Sequence, residues 1–355
     1  MRKASVCGID LFCGAGGLAY GLRKAGISIV AGIDLDPTSE FPFASNNRAP
    51  FIRADVRDLR AKDLSRLYPS GAIRLLAGCA PCRPFSPFRR GTDNSRDEEW
   101  GLLGEFSRLV AELKPELTTM ENVPGLASKH IFRKFVDQLL QLGYDVDARS
   151  VYCPRFGIPQ HRRRLVLIAS LIGPVKVPHG CLGPEEYRTV RDAIGSLPRL
   201  AAGEVDPADR LHRARSVTET NLLRLRASRP GGTWEDWPRE LRAKCHRRRT
   251  GSTYRSVYAR MTWDEPSPTI TTQAYNFGTG RFGHPEQDRS ITPREAAILQ
   301  TFPRHFSFAR PNEKLYMSRV GRLIGNAVPP RLAFFVGKEI MRVAENRDRA
   351  EGAGR

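Results

Sequence analysis

Residues 75–86 carry the most chemically suggestive spacing in the chain. An apolar run, Leu75-Leu76-Ala77-Gly78, delivers Cys79 and Cys82 into a turn, with Pro81 and Pro84 on either side of the second thiol. A thiol at the carboxyl end of a buried strand stands where open α/β sheets place reacting groups. The Cys-x-x-Cys spacing allows three chemistries. A zinc site needs two further ligands at suitable spacing; no second pair exists, so no metal is expected. A redox dithiol needs its thiol at a helix start, whereas Pro84 and Pro87 make this segment a loop. The third is a lone nucleophile, Cys82, with Cys79 a small buried neighbour.

Two other sets of residues could act with that thiol. Gly14-x-Gly16 lies between a strand-like run, Val6 to Phe12, and a helical spacing, Leu18 to Ala25. Glycines there let the backbone approach a nucleotide-type cofactor closely. Asp34 follows twenty residues later, at the end of the next apolar run, where a carboxylate holds ribose hydroxyls. Asp55, after a third run, adds an acceptor for an adenine amino group. Alone, these residues suit a nicotinamide dehydrogenase and an S-adenosylmethionine site about equally, although no hydride-transfer site is evident. Gln160-x-Arg162-x-Arg164 precedes an apolar strand. Alternation puts Arg162 and Arg164 on one face of an extended segment and Arg163 on the other.

The elements that must position these groups alternate. Strands are expected at Val6–Phe12, Ile27–Ile33, Phe51–Val56, Ile73–Ala77, Leu117–Met120, Val146–Val151 and Leu165–Ala169. Helices are expected at Leu18–Ala25, Trp100–Leu113 and Phe132–Leu142. This alternation means an α/β fold, a parallel sheet with helices on both faces. It fades after Pro178. A second, smaller and irregular domain is expected at 179–285, after a first domain at 1–178. Residues 286–355 become helical again, from Pro293 and from Pro330 to about Ala344, with the last ten residues a frayed tail.

Composition names a partner class. The 355 residues hold 57 Lys and Arg against 38 Asp and Glu, a formal net charge of +19. Such a surplus predicts an anionic partner, first of all nucleic acid. Only 10 of the basic residues are Lys, and arginine suits bidentate contacts to phosphates and guanine edges. Residues 241–262 hold seven Lys or Arg and no acidic residue. There His246-Arg247-Arg248-Arg249 is followed by Tyr254, Tyr258 and Trp263, a pattern of nucleic-acid contact. The seven scattered cysteines form no disulfide framework, so a reducing compartment is expected. Neither a signal peptide nor a membrane span is evident.

Six motifs in fixed order then carry a resemblance. Asp10-Leu11-Phe12-Cys13-Gly14-Ala15-Gly16-Gly17, Pro81-Cys82-Arg83-Pro84-Phe85-Ser86, Glu121-Asn122-Val123 and Gln160-His161-Arg162-Arg163-Arg164 are followed by Thr292-Pro293-Arg294-Glu295 and Gly325-Asn326-Ala327-Val328-Pro329. Together they resemble the DNA (cytosine-5-)-methyltransferase family, in its compact bacterial form, over nearly the whole chain except about residues 180–260. The resemblance implies a Rossmann-like S-adenosylmethionine-dependent sheet with a small target-recognition domain at 179–285. The segment 286–355 then returns to the catalytic domain.

The implied chemistry assigns roles. Cys82 adds to cytosine carbon 6, Glu121 binds ring nitrogen 3, and Arg162 and Arg164 hold the flipped base and order the glutamate. For S-adenosyl-L-methionine the resemblance implies Phe12 on the adenine, Gly14 and Gly16 along the methionine part, and Asp34 on the ribose. Leu35 stands where many relatives have Trp, and Asp55 and Val56 flank the adenine. Pro81, Leu102, Asn326 and Ala327 close the pocket. For DNA it implies Ser86, Arg89, Gln160, Arg247, Arg248, Arg249 and Thr271. Double-stranded DNA is the expected partner, with a cognate restriction endonuclease in the same system, for a monomer in the bacterial cytoplasm at the nucleoid. Three alternatives stay open: the same reaction on RNA, a DNA-binding regulator without activity, and a dehydrogenase.

Overall fold

A computed structural model of the protein describes residues 5–81, 100–248 and 255–353. Cys82, Ser86, Arg89, Arg249 and Tyr254 therefore lie outside the described residues.

Strand β1 (Val6–Leu11) is buried along its whole length, as expected of a central strand covered on both faces. It pairs in parallel with β2 (Ser28–Asp34) on one side and with β4 (Ile73–Gly78) on the other. Strand β3 (Phe51–Arg53) extends the sheet beyond β2, and β5 (Leu117–Asn122) beyond β4, both parallel. Strands β6 (Asp145–Tyr152) and β7 (Arg163–Ser170) complete the order β3-β2-β1-β4-β5-β7-β6. β7 runs antiparallel to both neighbours, which departs from the wholly parallel expectation. Only residues 153–162 join β6 to β7, with no helix among them beyond a short 3₁₀ turn. That is too little chain for a parallel crossover, which takes a dozen or more residues.

Helices cover both faces. Cys7, Ile9 and Leu11 of β1 join Phe106 and Leu109 of α4 (Trp100–Leu113) and Phe135 and Leu139 of α5 (His130–Gln141) in one core. The short α3 (Ala61–Ser65) adds Leu64 to it. The opposite face carries α1 (Gly17–Lys24), whose Ala19 N–H donates to Asp10 Oδ2 at 3.2 Å, and α2 (Glu40–Asn47). The C-terminal helix α10 (Pro330–Ala353) lies close against α1. It continues well beyond Ala344 instead of fraying there, because Arg, Glu and Ala are strong helix formers. The third strand is shorter than expected. It stops at Arg53, and Asp55 caps a 3₁₀ turn at Val56–Asp58.

The chain forms two compact units. One comprises Met1–Phe156, Arg163–Cys181 and Ala327–Arg355, the other Gly157–Arg162 and Leu182–Asn326. Residues 286–326 thus pack with the second unit, and the return to the first begins at Ala327. The second unit holds α6 (Val190–Ile194), the two-stranded sheet of β8 (Val205–Asp206) and β9 (Asp209–Arg213), α7 (Glu219–Ala227), α8 (Pro293–Leu299) and α9 (Met317–Asn326). Thr292 and Glu295 cap α8 reciprocally. Glu295 is also paired with Arg289 at 2.7 Å, both fully buried.

Of the aromatic residues expected at nucleic acid, Tyr258 and Trp263 are half-buried and pack against other side chains of the unit. Tyr258 packs edge-on against Trp237 and Phe277, beside Leu225 and Trp234. His246 is buried and stacks on Trp234 with centroids 4.3 Å apart. Trp263 meets His284 edge-on and lies under Arg191. A unit with so few long elements needs its large aromatics to make an interior at all.

Candidate active site

The carboxyl ends of β1, β2, β4 and β5 converge where the strand order reverses, the ligand-binding edge of an open α/β sheet. The turn after β1 is built on unusual backbone. Phe12, Gly14 and Gly16 all have positive φ, at 56°, 50° and 86°. At Gly16 glycine is required twice over, since a Cβ would lie 2.1 Å from Asn47 Nδ2 and 2.8 Å from Phe43. At Gly14 a Cβ meets no described atom within 4 Å, so the turn presents bare backbone there.

Asp34, at the end of β2, ties this turn down. Its Oδ2 accepts from Gly14 N at 2.8 Å and its Oδ1 from Asp36 N at 2.9 Å. Leu35 beside it is 56% exposed, an apolar side chain held at the surface. Beneath the turn, burial pushes the carboxyl of Asp10 and the thiol of Cys13 well above their usual ranges. Val56 is buried. Asp55 is engaged: Arg57 Nη2 reaches its Oδ2 at 2.7 Å and Arg57 Nε its Oδ1 at 3.0 Å. That guanidinium holds the Asp55 carboxyl below the usual carboxylate range. An adenine amino group would have to compete with it. Pro81 and Leu102 are half-buried. Ala327 opens the last stretch of the first unit, and Asn326 is an exposed residue closing α9 in the second. Bare backbone above Gly14, a carboxylate at the end of β2 and an exposed apolar side chain next to it suit a nucleoside-bearing cofactor.

The second part of the site grows out of strand register. β4 and β5 pair from Leu75↔Leu117 to Gly78↔Met120. Continued by two residues, the same register sets Cys79 beside Glu121 and Ala80 beside Asn122. Both contacts form. Cys79 Sγ donates to Glu121 Oε2 at 3.2 Å, and Asn122 Nδ2 donates to Ala80 O at 3.0 Å. On its other side Glu121 pairs with Val166 of β7, which makes Arg164 its diagonal neighbour on the same face. Arg164 Nε lies 2.8 Å from Glu121 Oε1, an ion pair whose N–H is not directed along the contact. Glu121 is 5% exposed and lies inside β5, which runs two residues beyond the expected end at Met120. A buried carboxylate clasped on both oxygens, one strand from the segment that runs into Cys82, can bind a ring nitrogen and move its proton.

Arg162 and Arg164 do different things. Arg162 precedes β7, is buried, and donates from Nη1 to Ile270 O at 3.2 Å within the second unit. Arg163 lies over the Tyr152 ring at 4.6 Å. Gln160 departs from its expected place at DNA. It is 0% exposed, its Nε2 donates to Gln300 Oε1 at 2.9 Å, and its Oε1 accepts from Ile270 N at 2.9 Å. Both ends of the amide are thus engaged inside the unit. Thr271 is half-buried. Arg247 is exposed but donates to Arg242 O and Glu240 O, both at 3.1 Å, while Arg248 is exposed beside it. Cys79, expected as a small buried neighbour, is instead half-buried against Glu121, and Asn122 has no expected role. The signal that finds them is the β4–β5 register, which needs knowledge of which strands pair.

The sheet order with its single reversed strand, the glycine turn after β1 and the clasped glutamate on β5 define an α/β enzyme of the Rossmann-like methyltransferase class. The chain belongs to the C-5 cytosine-specific DNA methylase family, which it matches over residues 6–342. It is 48% identical over 341 residues to the type II methylase M.HgiDII of Herpetosiphon aurantiacus, with 95% of both chains covered. It is 30% identical to the type II methyltransferase M1.HphI of Haemophilus parahaemolyticus, over 95% of this chain and 87% of the relative. Two solved structures share its fold. A protein encoded within an Escherichia coli prophage aligns with a TM-score of 0.70 at 23% identity, over 96% of this chain and 99% of the other. Spodoptera frugiperda DNMT2 aligns with a TM-score of 0.64 at 16% identity, with the same coverage. Among the described residues no helix is long and apolar enough to cross a membrane.

Proposed function

We propose that the protein methylates carbon 5 of a cytosine within a specific sequence of double-stranded DNA, through a covalent adduct between Cys82 and carbon 6 of a base rotated out of the duplex. The observation that carries this reading is the Arg164–Glu121 ion pair at the end of β5, next to the strand that leads into Cys82. Carbon 6 is inaccessible within the stack, so the target base must leave it. Addition of the Cys82 thiolate to carbon 6 makes carbon 5 nucleophilic. Glu121, carrying a proton it shares with the base, donates to ring nitrogen 3 and so neutralises the negative charge that addition puts there, and Arg164 fixes the carboxyl's orientation. Once carbon 5 carries the methyl group, it loses its proton to water, and the electron pair of that C–H bond expels the Cys82 thiolate from carbon 6.

S-adenosyl-L-methionine, when bound, supplies the electrophilic methyl group that carbon 5 accepts. Phe12, Gly14, Gly16, Asp34, Leu35 and Val56, with Pro81 and Leu102, would hold it. Asp34 suits its ribose hydroxyls, and the bare backbone at Gly14 its methionine part. In the second unit, Arg162 and Gln160 order the segment around Ile270 and Thr271, and Arg248 with Arg249 offers charge to phosphates. The type II relatives support a place beside a restriction endonuclease in the same system.

The test is transfer of tritiated methyl from S-adenosylmethionine to unmethylated plasmid DNA, with tRNA in parallel. Transfer to DNA alone is expected, with the label at cytosine by bisulfite sequencing. Cys82→Ala should abolish it. Glu121→Gln should lower kcat by about 10²-fold or more, the usual scale for a positioned proton-transfer group. Undiminished transfer by Cys82→Ala would overturn the covalent mechanism, and transfer only to tRNA would overturn the substrate.

A further inference from the structure

Glu121 has two partners among the described residues, one on each oxygen, and they come from opposite neighbours in the sheet. Arg164 of β7 takes Oε1, and Cys79, one residue beyond β4, takes Oε2. The mechanism above uses only the first. Cys79 sits three residues before the nucleophile, so it is easily read as inert filler or as a disulfide partner for Cys82. Its placement says otherwise. The β4–β5 register carries Cys79 to the position beside Glu121, and its thiol is half-buried with Sγ 3.2 Å from Oε2.

We infer that Cys79 is a positioning residue for the methyl-transfer reaction, its thiol donating to Glu121 Oε2 and fixing the plane of the carboxyl that meets the target cytosine. This inference rests on the proposed function of Glu121 and deepens it. Two anchors define an orientation where one does not. With Arg164 alone, the carboxyl can turn about the bond to its side chain while keeping the ion pair. With the thiol on the second oxygen, that rotation is blocked. Each carboxylate oxygen has two acceptor sites, so Oε2 can take the S–H and still keep a site for the proton shared with the base. A thiol is a weak donor, which suits the place. It orients the carboxyl without competing strongly for the proton that Glu121 must share with the base.

The experiment is a mutant cycle on the full-length protein with unmethylated genomic DNA, separating kcat from KM. Cys79→Ala removes the donor, Cys79→Ser keeps one, and each is also made in the Glu121→Gln background. Cys79→Ala is expected to lower kcat about fivefold, the scale of one weak hydrogen bond, with KM for DNA and for S-adenosylmethionine nearly unchanged. Cys79→Ser should recover most of the loss. In the Glu121→Gln background, Cys79→Ala should add little, because the carboxylate it orients is gone. Equal losses in the alanine and serine variants, or losses that multiply fully with Glu121→Gln, would overturn the inference. Thermal unfolding and calorimetric S-adenosylmethionine binding identify any variant that fails to fold. Should alanine misfold, Cys79→Gly supplies the donor-free arm. Absence of methyl transfer by the unmodified protein would refute the functional reading itself, whereas an active protein with additive losses would refute only the role of Cys79.

Discussion

Gly14 and Gly16 sit two residues apart in one turn and are both glycine for different reasons. Both have positive φ, which costs an ordinary residue about 1–2 kcal/mol. Only Gly16 is also enclosed, by Asn47 and Phe43 of α2. Gly16→Ala therefore adds a steric penalty to the backbone one, and unfolding in urea should show a loss of about 3 kcal/mol or more. Gly14→Ala meets no described atom within 4 Å, so its stability should fall by only about 1 kcal/mol. Its methyl group, however, would stand where a cofactor must approach the backbone. Calorimetry should show S-adenosylmethionine affinity reduced at least about tenfold, out of proportion to the stability change. Normal cofactor affinity in Gly14→Ala would mean that the turn, and not its bare surface, is what matters at this position.

Elements carry the next level of information, and α1 with α10 shows a place where local preference and packing disagree. Within an exposed helix, Ala is favoured over Gly by about 1 kcal/mol. At Gly21 of α1 a Cβ would lie 2.2 Å from Pro330 O and 2.4 Å from Ala333 Cβ. Gly21→Ala is thus expected to destabilise the first unit by about 2–3 kcal/mol, the cost of forcing extra volume between packed helices, and to lower the melting temperature. A rise in melting temperature would show that α10 docks on α1 less tightly than these contacts indicate. The same contrast explains what could be read in advance. The strand-end place of Glu121 and the glycine turn were legible because each ends or follows an apolar run. The antiparallel course of β7 was not, because periodicity reports that a strand exists but not its direction. Gln160 was misread because an amide looks the same whether it faces a base or bonds Gln300 and Ile270. The packing of Tyr258 and Trp263 was not legible for a similar reason: an aromatic among arginines can stack on bases or pack against a small core beside them.

At the scale of the whole molecule, the charge surplus survives every ion pair. The buried Arg289–Glu295 pair and the Arg74–Glu116 pair at the base of β4 each remove one charge of either sign. They leave the difference of 57 and 38 untouched at 19 positive charges. That surplus must meet solvent, counterions or an anionic partner, so binding to duplex DNA should depend steeply on salt. Neutralising about six to ten phosphates would weaken affinity roughly 10³-fold or more between about 50 and 200 mM salt. Arginines already used inside the protein should not share in this. Arg247 holds the carbonyls of Glu240 and Arg242, whereas Arg248 beside it is exposed. Fluorescence anisotropy of a labelled duplex across a salt series separates the two. Arg248→Ala should lower the slope of log affinity against log salt by about 1 with the melting temperature unchanged. Arg247→Ala should instead loosen its own segment, seen as faster proteolysis between residues 239 and 248, with a smaller change in slope. Affinity independent of salt would mean that the surplus charge faces something other than DNA. Equal slope changes in the two variants would mean that Arg247 releases its carbonyls when DNA binds.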